Sequence, residues 1–111
     1  MMIHTILSDL ASGQPNFAGV LAHIDELYNH IPAAFTNGEQ SNSESENQGS
    51  ARVLYFAKLH NLDKENTLRL FAEHYRHVLD TPGDSNHQNI RQFMQHGWEG
   101  ISFAGVVLEP K

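Results

Sequence analysis

The sequence predicts an α+β domain dominated by helix, and three observations carry that expectation. Five segments place apolar residues at three- and four-residue steps, the period of a helix buried along one face. After Gly100 the pattern switches to period two, the mark of strands. The chain has 111 residues, 40% hydrophobic and 18% charged, which suits a single domain over 1–111 with one modest core. The expected architecture is about five helices around a central buried helix. A small two- or three-stranded antiparallel sheet, formed mainly by a C-terminal hairpin, completes it.

Residues 2–12 align Ile3, Ile6, Leu7 and Leu10 on one stripe, with Gly13 as the stop. A second helix opens at Pro15 and runs to about His30. Phe17, Val20, Leu21, Ile24, Leu27, Tyr28 and Ile31 make it the strongest stripe in the chain, and Pro32 ends it. Ala33 to Thr36 reads as a short strand, the third of the sheet, leading into an Asn37-Gly38 turn that needs positive φ. From Glu39 to Gly49 no side chain is apolar, the composition of a solvated surface loop.

Ser50 then reads as the cap of a third helix, 51–61. Its Val53, Leu54, Tyr55, Phe56, Ala57 and Leu59 point almost all round, as in a helix covered on several sides. Asp63 caps a fourth helix, 64–80, with Leu68, Phe71, Ala72, Tyr75, Val78 and Leu79 inward, and Pro82-Gly83 breaks it. Ser85 and Gln88 form a capping-box pair for a fifth helix, 86–96, with Gly97 as its C′ residue. "ISF", an Ala104-Gly105 turn and "VVLE" then form the hairpin. Trp98, between Gly97 and Gly100, is expected to cover the seam between that helix and the hairpin.

Charge narrows the function classes. The formal net charge is −6, and the seven basic residues are spread from Arg52 to Lys111 without forming a run. Nucleic acid and anionic membranes are therefore not expected partners, since phosphate binding needs concentrated Lys and Arg. The absence of cysteine excludes disulfides and thiol chemistry. No apolar run approaches the ~20 residues of a bilayer span. The opening "MMIHTILSDLASGQ" has no basic stretch before an apolar one, so no secretory signal is expected and the bacterial cytoplasm is the default location.

Eight histidines raise the question of metal. His23, Glu26 and His30 share a flank of the second helix, and Glu73, His74 and His77 the outer half of the fourth. Neither group completes a ligand set, and no His-Glu-x-x-His is present, so no metal and no cofactor is expected. Ser50 with a histidine is the one arrangement worth weighing for hydrolysis, but no nucleophile elbow surrounds it and capping already accounts for it.

A polar pocket is the better candidate. Asn37, Asn47, Ser50 and Arg52 come from one loop and the helix start it feeds, while His87, Asn89 and Arg91 come from another helix start. Tyr75 and Arg76 can join them, and Trp98 lies nearby in sequence. Helix N-termini with an arginine fork suit a carboxylate or phosphate. The more economical reading is that these groups bond one another and staple the loop to the helices.

"AFTNG", "NQGSARVLYFAKLH" and "HYRHVLDTPGDSNHQNIRQFMQHGWEGISFAG" together resemble the HopJ type III effector protein family of proteobacteria. The resemblance runs from about residue 15 to residue 108 and is most specific at 35–38, 47–50 and 87–103. Family members often carry Cys-Lys after Gly-Ser; here Ala51-Arg52 follows, which removes a thiol and keeps a basic residue. The resemblance implies delivery into a host cell by type III secretion. It implies no enzymatic activity, cofactor or catalytic residue. Two readings follow: a small non-enzymatic binding protein, contacting a protein partner or a small anion, or a small enzyme or metal/anion-binding protein using the His/Asn/Arg pocket. They part on whether His87, Arg91, Arg52 and Asn47 converge on an open cleft or a filled seam.

Overall fold

The computed structural model describes residues 16–111, so the helix expected over 2–12 and its Gly13 stop lie outside the described residues. Helix α1 (Phe17–Leu27) starts where Asn16 Oδ1 accepts the Gly19 N–H, and the Phe17 N–H donates to the Glu73 carboxylate at 2.6 Å. Val20 and Ile24 are fully buried along its inner face. The helix stops three residues before His30. Strand β1 (Tyr28–His30) instead pairs antiparallel with β5 (Leu108–Pro110), Tyr28 opposite Pro110 and His30 opposite Leu108. The expected helix to residue 30 is corrected on that point. A distant strand supplies the hydrogen bonds, and apolar spacing cannot reveal it.

The second sheet has β2 (Phe35–Asn37) at its centre, flanked by β3 (Gln40–Asn42) and β4 (Ile101–Phe103), all antiparallel. Phe35 and Asn37 point into the core and Thr36 outward. Gly38, at φ 60°, turns the chain between β2 and β3 as its sequence suggested. The expected C-terminal hairpin does not form. β4 and β5 join different sheets, and fully buried Val107 lies between them, its carbonyl accepting the Ile31 N–H at 2.8 Å. Period-two patterning identified both strands, but it carries no information about their partners.

Helix α2 (Gln48–Leu59) begins three residues earlier than expected and buries Ala51, Val53, Leu54, Phe56 and Ala57. Asn47 takes the N-cap position at φ 54°, so Ser50 lies inside the first turn and caps nothing. The long helix expected over 64–80 is two, α3 (Lys64–Arg69) and α4 (Glu73–Asp80), separated by Ala72 at φ 53°, ψ −122°. The break lets three consecutive residues, Leu70, Phe71 and Ala72, all be buried, which one face of a straight helix cannot do.

Helix α5 (Gln88–His96) follows, and no capping box starts it: Gln88 Nε2 donates to the Ser85 carbonyl at 2.6 Å, and His87 is the N-cap residue. At its end Gly97 adopts φ 62°, ψ −153°, a conformation close to glycine-only. A 3₁₀ turn (Gly97–Gly100) then feeds β4. Trp98 covers this joint, its ring edge-on to Phe93 at 5.0 Å and its indole N–H donating to the Leu62 carbonyl at 3.0 Å. Five α-helices and two small antiparallel sheets among the described residues make the fold α+β. No helix among those residues is long and apolar enough to cross a membrane.

Candidate functional site

Four asparagines join the 37–47 loop to α5. The Asn37 Nδ2 donates to the Asn89 carbonyl at 2.7 Å and to Asn89 Oδ1 at 3.1 Å. Asn42 and Asn89 exchange side-chain amide bonds at 3.2 and 3.1 Å, and Asn47 Nδ2 donates to Asn42 Oδ1 at 2.7 Å. Asn37, Asn42 and Asn89 are buried, so these bonds replace water. Among the described residues Asn37 Oδ1 finds no partner. Gln48 completes the staple: its Oε1 accepts the Ala33 N–H, and its Nε2 donates to the carbonyls of Ala33, Ser43 and Glu46. The segment 39–49, read as a solvated loop, is therefore tied down at both ends and contains β3.

Above this network lies a cleft of about 420 Å³. Asn47, Gly49 and Ser50 line it from the start of α2, and His87, Gln88, Asn89 and Ile90 from the start of α5. Phe17, Phe71, His74 and Gln40 complete the lining. Two helix N-termini thus open on one space, and neither has a side-chain cap. The residues at both N-cap positions, Asn47 and His87, sit in the left-handed region at φ 54° and 52°.

His87 Nε2 lies 3.1 Å from His77 Nδ1, and the His74 ring centre is 5.0 Å from that of His87. Burial, then His74, His77 and Arg91, hold the His87 imidazole below the ordinary histidine range. Burial raises the neighbouring Glu73 carboxyl, but hydrogen bonds from Phe17 and from its own backbone, with His74 and Arg76 nearby, leave it lowered on balance.

Of the ten residues singled out from sequence, Asn47, Ser50, His87 and Asn89 line the cleft, and Asn37 braces it from beneath. The others do not line it. Arg52 Nη1 reaches both Asp25 carboxylate oxygens, at 3.1 and 2.8 Å, against α1. Arg91 clasps the loop before its own helix, donating to the carbonyls of Asn86, Thr81 and Pro82 and to Asn86 Oδ1. Arg76 is exposed, and Tyr75 packs on the core with its phenol pushed up by burial and then by Glu65. Trp98 lines a separate cleft of about 320 Å³ with Lys58, Asn61, Leu62 and Ile101. The four residues meant to discriminate the readings therefore split. Asn47 and His87 face the open cleft, while Arg52 and Arg91 are bound elsewhere.

Sequence reading missed Gln40, Asn42, Gln48 and the aromatic wall of Phe17 and Phe71. His74 was visible only in a suspected chelating group. That group is joined by His87 in space, whereas the other disperses, since His30 leaves the helix for β1. Among the described residues no group of three His, Asp or Glu is arranged to hold a metal ion.

An α+β domain with a polar cleft between two helix starts is the class these observations define. The HopJ type III effector protein family model matches residues 3–108, and the chain belongs to that family. A solved crystal structure, that of "unknown function protein VPA0580", is 44% identical, has a TM-score of 0.90, and is matched over 100% of this chain and 95% of its own. No curated protein matches.

Proposed function

We propose that the protein is a binding protein without chemistry of its own, taking a small carboxylate- or phosphate-bearing ligand in the cleft. One observation carries the reading: two helix N-termini, neither capped by a side chain, open on the same 420 Å³ space. Each offers first-turn N–H groups without intrahelical partners and the positive end of a macrodipole. Among the described residues no lysine or arginine lines the cleft, so the positive charge that a falling pH adds there sits on His87. Affinity is then expected to rise as the pH falls through the histidine range. We extend the reading to location: the family description supports delivery from the bacterial cytoplasm into a host cell by type III secretion. Absence of the protein from host cells exposed to a strain lacking the secretion apparatus, with its presence when the apparatus is intact, checks that part.

The Ser50→Asp variant tests the cleft. It sets a carboxylate in the first turn of α2, where a bound anion would lie. The free variant is expected to be more stable by about 0.3–1 kcal/mol and to lose the thermal stabilisation that inorganic phosphate or succinate gives the parent. Equal stabilisation of parent and variant by these anions would contradict the reading.

A further inference from the structure

Among the contacts that hold the segment 81–87, between α4 and α5, two points differ in chemistry. Arg91 clasps it through Thr81, Pro82 and Asn86, a contact that no ordinary pH disturbs. The other point is the 3.1 Å contact of His77 Nδ1 with His87 Nε2, which joins the middle of α4 to the N-cap position of α5.

We propose that the His77–His87 contact is a proton-sensitive latch, closed at neutral pH and released when both rings are charged. The chemistry is that of the imidazole. In the neutral pair one nitrogen donates and the other accepts, and one added proton leaves that bond in place. A second proton turns both facing nitrogens into donors, and the bond is lost.

The surroundings favour release over a new pairing. The His74 ring lies 5.0 Å from His87, and the charged groups that bear on His87 are His74, His77 and Arg91, all basic. From α1 the cleft wall is Phe17, and from α2 it is Asn47, Gly49 and Ser50. Of the carboxylates on α4 and in the segment, Glu73 is committed to the Phe17 N–H, and neither Asp80 nor Asp84 is among the charged groups that bear on His87. The backbone adds a small bias, because His87 sits in the left-handed region at φ 52°, ψ 47°, which non-glycine residues adopt at some cost. Release frees the wall of the cleft formed by His87 and Gln88, so the latch acts on access to it.

Hydrogen exchange on the ligand-free protein, in a buffer without phosphate or carboxylate, tests this separately from anion binding. After correction for intrinsic rates, amides of 84–89 are expected to exchange about tenfold or more faster at pH 5 than at pH 7.5. Those of 53–57, in the core of α2, are expected to stay protected. In the His77→Gln variant a neutral amide replaces the titrating ring, and the acid response at 84–89 is expected to disappear. Unchanged protection of 84–89 across this pH range, or a full response in His77→Gln, would overturn the latch.

Discussion

Arg91 uses three of its nitrogens on the chain just before its own helix, from Thr81 to Asn86, and so acts as a clasp. Removing it leaves several carbonyls without donors, and Arg91→Ala is expected to cost about 1–3 kcal/mol in urea unfolding. Trp98→Ala is expected to cost about 3 kcal/mol, near the lower end for large aromatic residues, because the ring is only half-buried over Phe93. In sequence Arg91 and Arg52 look like anion-binding forks, and nothing local says otherwise. A guanidinium in a polar motif reads the same whether its carboxylate or carbonyl comes from a ligand or from Asp25. That Asn47, His87 and Asn89 lie close together was legible because their neighbourhood, a loop feeding a helix start, lines the cleft. Asn42 was not, since a buried amide inside an all-polar run carries no mark of burial.

Elements were legible where periodicity decides them and obscure where a partner does. The inward stripes of α1 and α2 and the Gly97 exit follow from spacing and from glycine alone. The division of 64–80 at Ala72, the conversion of Tyr28–His30 into strand, and the separation of β4 from β5 each depend on a distant segment. Packing between elements is equally exacting at the turn joining α5 to β4. A Cβ on Gly100 would stand 2.9 Å from the Gly38 nitrogen and 2.9 Å from the His96 Cβ. Gly100→Ala is therefore expected to lose about 1–3 kcal/mol by overpacking, measured by thermal unfolding, because the neighbouring backbone has to move. The asparagine network is an element-scale staple in the same sense. In Asn42→Ala the side-chain amides of Asn89 and Asn47 lose their acceptor. Hydrogen exchange of residues 39–47 is expected to quicken with a stability loss of about 1–3 kcal/mol, while a silent substitution would remove the staple.

At the scale of the molecule, acid is the perturbant that reaches the cleft. Burial lowers His60 and His87 in the folded state, so the unfolded chain takes up their protons first as pH falls. Their contribution is complete above the ordinary histidine value of about 6.5 and is lost as the pH drops from there through the folded values. Glu73, also lowered, acts with the same sign further down, its contribution disappearing below the ordinary carboxylate range. Urea midpoints are expected to be flat from pH 8 to 7 and to decline below pH 6.5, and a rise on acidification would contradict these directions. The cleft itself is tested most directly by backbone-amide NMR at pH 6 during titration with inorganic phosphate. Saturable shifts concentrated at Gln48, Gly49, Ser50, Gln88 and Asn89 are the expected result. Shifts absent there, or confined to Arg52 and Arg91, would contradict a binding site built from two helix N-termini.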